Sequence, residues 1–155
     1  MEENPYPSFR ARIFEVTAEN LGLDTIVENE PFAFFTEFRI EGIIITIVVF
    51  LDGSVSIYFE TGMMMIGGGE HQQIRDIGIE LLKTCHELEG VLQDDKKLDH
   101  PKKDQVKFFI RTKQGTKSCV IKEKHLNKEN NLGAYQYMLV NMIITEFRKI
   151  DQNKD

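Results

Sequence analysis

The residues that could do chemistry are scattered along this chain. The run Gly67-Gly68-Gly69 stands just ahead of a helix-like stretch that begins near Glu70-His71. Free backbone N–H groups in such a loop, with the positive end of the helix, can hold a phosphate or a carboxylate. The spacing matches neither the dinucleotide fingerprint nor the P-loop, no lysine follows, and Glu70 opposes an anion. An anion site built here would take its cations from His71 and from the later basic residues Lys107 and Arg111. The competing reading makes the glycines a connector that permits a sharp turn.

Other reactive types lack the spacing that chemistry needs. His71, His86, His100 and His125 form no metal-binding pattern, and Cys85 and Cys119 are too far apart for a C-x-x-C zinc pair. No metal and no cofactor is expected. Ser8, Ser54, Ser56 and Ser118 have no histidine beside them and no nucleophile elbow. Acid pairs such as Glu15 with Glu19 and Asp94 with Asp95 sit in polar settings, where solvation is their ordinary role. The expectation is a protein without catalysis, unless distant residues assemble a site in the fold. Both cysteines fall on apolar faces and are expected to stay reduced.

A surplus of apolar side chains near the C-terminus suggests binding instead. Tyr137, Met138, Met142 and Ile144 cannot all face the core that takes Leu139, Ile143 and Phe147. Methionine-rich faces adapt to partners. These four residues are predicted to meet a protein partner or a second copy of the chain, giving a homodimer. The alternative is a central helix packed on two sides by its own domain.

The elements that must position these residues follow from periodicity. Residues 5–22 read as a helix, with Pro7-Ser8 at its start and Gly22 at its stop. Ala33 to Ile40 alternates, Ile43 to Leu51 is apolar at almost every position, and Ser54 to Glu60 alternates again. Glu41-Gly42 and Asp52-Gly53 are tight-turn signals. With two residues in each turn, Ile40 pairs with Ile43 and Leu51 with Ser54, which turns the apolar sides of the outer strands in opposite directions. The almost continuously apolar middle strand favours a sheet covered on both faces. A helix from Glu70-His71 to Gly90 carries Ile74, Ile77, Leu81, Cys85 and Leu88 as its stripe. The polar stretch 93–104 is expected to be an exposed charged loop. A hairpin follows, with Gln114-Gly115 as its turn and Ile110 opposite Cys119, and a last helix runs from about Asn131 to Ile150. The order α-β-β-β-α-β-β-α predicts a single α+β domain over 1–155, with a mostly antiparallel sheet packed by helices.

Composition sharpens the choice of partner. The chain has 155 residues, 25 acidic and 19 basic side chains, and a net charge of −6. Residues 1–92 carry −11 and residues 93–155 carry +5. The face of Lys107, Arg111, Lys113 and Lys122 around Phe109 has the elements of a single-strand nucleic-acid platform. The acidic total argues against that use, and edge lysines that block aggregation explain the face equally well. Gly42 to Leu51 falls far short of the roughly 18 apolar residues of a membrane span. The N-terminus lacks the basic and apolar regions of a signal peptide, so a cytoplasmic location is expected.

In element order, size and acidity the chain resembles the class I type III secretion chaperones and the related YbjN-like proteins. The likeness covers most of the chain and includes no residue motif, so it carries over no functional residues. It implies a small α+β protein that dimerises and binds segments of partner proteins. Toxin-immunity proteins share this outline. The expected function is therefore a chaperone-like or immunity-like protein-binding module. The alternative is a binder of a small anionic ligand or nucleotide at Gly67–Gly69 and the basic hairpin.

Overall fold

The computed structural model describes residues 3–152. Helix α1 is Tyr6–Glu15, followed by strands β1 (Ala33–Ile40), β2 (Ile43–Phe50), β3 (Val55–Phe59) and the short β4 (Met64–Met65). Helix α2 is Gln72–Lys83, then come the short β5 (Gln93–Asp94), β6 (Gln105–Thr112), β7 (Gly115–Lys122) and helix α3 (Ala134–Gln152). The chain is α+β with one antiparallel sheet of seven strands in the order β4-β3-β2-β1-β6-β7-β5. The two predicted hairpin regions thus join through β1 and β6, and two short strands extend the edges.

Both faces of the sheet are covered, as the apolar middle strand implied. One face presents Phe34, Phe38, Ile45, Ile47, Val49, Val55, Ile57 and Phe108 to Ile74 and Leu81 of α2 and to Val140, Ile143 and Phe147 of α3. The other presents Ala33, Phe35, Val48, Phe50 and Phe109 to Ile13 and Phe14 of α1. Phe14 meets the rings of Phe35 and Phe109 edge-on, with centroids 5.1 and 4.9 Å away.

The first turn is as expected: Ile40 pairs with Ile43, and Glu41 and Gly42 take φ of 51° and 81°. The second corrects the expected register. Val49 pairs with Val55, so the loop holds Leu51, Asp52 and Gly53 rather than two residues. Gly53 supplies a φ of 98° there. One extra residue flips β3, so Val55 and Ile57 share the face of Ile47 and Val49. The β6–β7 turn is Lys113-Gln114, not Gln114-Gly115, and Phe108 rather than Ile110 faces Cys119. This slip is two residues long, so it leaves every side chain on its predicted face.

Helices are shorter than periodicity alone suggests. α1 ends at Glu15 because Thr17 and Asn20 bond each other's backbone N–H groups, at 2.9 and 3.1 Å, and form a separate turn before Gly22. Thr84 returns its hydroxyl to the Leu81 carbonyl at 3.0 Å as α2 ends, and Cys85–Val91 continues as a 3-10 helix.

One side chain on the α2–α3 face is misfitted. The Thr36 hydroxyl is fully buried between its register neighbours Ile47 and Phe108 and has no hydrogen-bond partner among the described residues. Desolvating an unpaired hydroxyl costs stability, and valine has the same shape without it. Thr36→Val is expected to raise the unfolding free energy by about 1 kcal/mol, read as a higher urea midpoint at constant slope.

Candidate functional site

The most polar place in the interior is the middle of the central strand. β1 has β2 on one side and β6 on the other, so Glu37 reaches solvent from neither edge. Over its face lie α1 and the segment 95–101, and the Glu37 side chain is completely buried. Arg10 of α1 grips it with two bonds, Nε to Oε2 at 2.7 Å and Nη2 to Oε1 at 2.8 Å. Thr46 of β2 donates its hydroxyl to Oε2 at 2.7 Å, and His100 Nδ1 lies 3.1 Å from Oε1. The Thr46 hydrogen is thereby committed, so Tyr6 donates to Thr46 across their 2.9 Å contact.

Electrostatics follow from this geometry. Burial alone would raise the Glu37 pKa, but the bonds from Arg10, His100 and Thr46 hold it below the ordinary carboxylate value. Burial and the Glu37 charge push the Tyr6 phenol up to about 12. Arg10 also donates to the Leu98 carbonyl at 2.7 Å and lies 5.0 Å from the Phe14 ring centroid. The cluster therefore joins α1, β1, β2 and the 95–101 segment. Beside it opens a recess of about 350 Å³, bordered by Tyr6, Arg10, Glu60 and His100. Glu37 is fixed as an anion with both oxygens engaged, which suits a clamp better than an acid or base working near neutral pH.

Lys107 is the register neighbour of Glu37 but serves a different carboxylate. Its Nζ is 2.8 Å from Asp95 and donates to the Asp99 carbonyl at 2.7 Å. Asp95 accepts a further bond from Ser118 at 2.7 Å. Most side chains of the predicted charged loop are exposed, yet Asp95 and His100 tie it down and Pro101 is buried. It crosses the sheet as a strap.

The residues singled out for anion binding do not converge. Gly67 takes a left-handed φ of 78°. A Cβ on Gly68 would stand 2.5 Å from Phe147, and one on Gly69 only 2.3 Å from the Gly53 carbonyl oxygen. The glycines thus let this loop press against the β2–β3 turn. Lys107 and Arg111 belong to β6, three strands from β3, or roughly 14 Å at ordinary strand spacing. Arg111 is buried and donates to the carbonyls of Ile13 and Val16, and His71 is exposed at the start of α2. Phe109, the aromatic of the nucleic-acid reading, is fully buried under Phe14, which leaves no platform.

The four predicted partner-binding residues divide between core and surface. Ile144 is in the core, and Tyr137 packs edge-on against Phe38 at 5.5 Å while its hydroxyl bonds Glu123 at 2.8 Å. Neither is free for a partner. Met138 and Met142 are 49% and 43% exposed, and Tyr135, not singled out by sequence, is 39% exposed beside them. Positions 135, 138 and 142 form one stripe on the outer side of α3. Both cysteines are free and buried, with thiols pushed by burial up to about 12 for Cys85 and about 11 for Cys119. Among the described residues no group of three or more His, Cys, Asp or Glu could hold a metal ion, and no helix is long and apolar enough to cross a membrane.

In the alternation of β1, Glu37 falls opposite Phe34, Phe38 and Ile40, on the side that local pattern reads as polar and solvated, so periodicity does not reveal the cluster. One signal was present: a charged residue midway along a strand with phenylalanine at 34, 35 and 38.

Glu37→Gln leaves the buried Arg10 without its counter-charge and is expected to cost about 3 kcal/mol, with Arg10→Met in a Glu37→Leu background recovering part of the loss in urea melts. The folded-state pKa of Glu37 is lowered, so its stabilisation is complete above the unfolded value near 4.5 and is lost as pH falls further. The stability gap between wild type and Glu37→Gln should accordingly narrow from pH 5 to pH 3. Separately, Gly69→Ala should lose about 2 kcal/mol or more, whereas Gly90→Ala, which meets nothing within 4 Å, should be near neutral by thermal melting.

Compared with known proteins, the chain matches no family model, no curated protein and no solved structure.

Proposed function

We propose that this chain is a non-enzymatic protein-binding module, chaperone-like or immunity-like in its action, that docks a protein partner or a second copy of itself on the outer stripe of α3. The observation that carries the reading is the exposure of Tyr135, Met138 and Met142 together on a helix whose opposite side is core. Anchors at i, i+3 and i+7 are the spacing with which a helix presents itself to a groove or to a like helix. Leu132, just before the helix, is 45% exposed and lengthens the apolar stripe. Methionine contributes contact area without demanding one fixed shape from its partner. The arrangement of helices and antiparallel sheet is in keeping with the chaperone-like outline read from the sequence. The two free thiols support a cytoplasmic location.

Light scattering over a concentration series is expected to give the mass of two chains. Met138→Asp combined with Met142→Asp should return one chain with an unchanged melting temperature, since both positions are exposed. A mass of one chain at every concentration, with equal capture of partners from the native source by wild type and the double variant, would overturn the proposal.

A further inference from the structure

The residues predicted to hold an anion do not converge at the glycine loop, but the fold builds a second recess elsewhere. α2 stops at Lys83, the chain tightens into a 3-10 helix, and β6 and β7 run on beyond it. The gap left between them is a cavity of about 530 Å³, closed on one side by Asn29 and Pro31. That is within the range of small-molecule sites. Its floor is Leu82, Cys85, Leu92 and Ile110, of which all but Leu92 are buried members of the core. Two lysines border it, Lys83 from the end of α2 and Lys117 from β7. Among the described residues neither lies within 4.0 Å of a carboxylate. One carboxylate, Glu89, also borders the cavity, so cations outnumber anions there in a chain whose total is −6.

Charge and floor together define the ligand. A purely polar anion would leave the apolar floor wet, and a neutral hydrocarbon would leave the lysines idle. We propose that this cavity binds a small amphipathic carboxylate, its hydrocarbon or aryl body on the Leu82–Ile110 floor and its single anionic head between Lys83 and Lys117. Exposed ammonium groups gain little from an anion in water. The floor therefore supplies most of the affinity, and the lysines select the sign of the head group.

The 155-residue chain can be tested by titration calorimetry with decanoate, octanoate, decanol and decyltrimethylammonium, all below their micellar concentrations. Decanoate is expected to bind, and octanoate to bind roughly tenfold more weakly, as two fewer buried methylenes require. Lys83→Gln with Lys117→Gln should weaken decanoate severalfold at an unchanged melting temperature. Met138→Asp with Met142→Asp should leave it unaltered, which separates this cavity from the α3 stripe. No decanoate binding, equal binding of the cationic and anionic amphiphiles, or decanoate affinity indifferent to the lysine pair would each refute the assignment.

Discussion

The ion pair between Arg10 and Glu37 is the constraint around which this molecule is arranged. A carboxylate at the centre of a seven-stranded sheet is costly to desolvate, and only complete pairing makes it tolerable. The fold meets that demand from three directions: Arg10 from the first helix, Thr46 from the next strand and His100 from the strap. Remove any one and an oxygen is left short of a donor in a dry place. The same demand fixes where α1 lies, since a two-point guanidinium grip tolerates little rotation. α1 buries few large side chains for its length, essentially Tyr6, Ile13 and Phe14, so the polar contact sets its register while the apolar ones give it adhesion.

Around that centre, the sheet works as a partition. On one side two helices bury the larger core, of mixed aliphatic and aromatic side chains. On the other a single short helix and a strap cover aromatic rings and charged groups. The separation explains why the basic residues divide so sharply in their duties. Lys107 and Arg111 point to the α1 side, where each is consumed by carbonyls and, for Lys107, by Asp95. Lys117, on the opposite face of the same hairpin, is left without a carboxylate within 4.0 Å among the described residues. The opposite charges of the two halves of the chain are therefore not cancelled by a dense mutual network. Among the described residues the ion pairs across the halves are His100 with Glu37 and a 4.0 Å approach of Lys113 to Glu19.

Much of this architecture was legible in the residues. Alternation marked β1, β3 and β6, and the run of β2, apolar but for Thr46, revealed a sheet with two covered faces. The length of the Asp52-Gly53 loop was not legible, because that dipeptide suits both a two-residue turn and the closing half of a three-residue loop, and Leu51 resembles the strand it leaves. The end of α1 was hidden for a related reason: Val16 continues the helical spacing, while the Thr17–Asn20 exchange that stops the helix is made by side chains. The Glu37 cluster lay beyond local reading altogether, since Arg10 and His100 are 27 and 63 residues from it. On α3 the surplus of apolar residues was visible, but which of them surface depends on where α2 packs, so Ile144 and Tyr137 could not be told from Met138 and Met142.

The seam between β1 and β6 has a consequence for how the chain reaches this state. β1, β2 and β3 are joined by short turns and can pair early, whereas Phe35 waits for Phe109, far along the chain. Until β6 arrives, β1 is an open edge studded with Phe34, Phe35 and Phe38, the kind of strand that recruits a neighbouring molecule. Glu37 sits in the middle of that temporary edge. A charge there penalises pairing with any strand that lacks a guanidinium overhead, so the residue that anchors the finished fold also guards the unfinished one against aggregation.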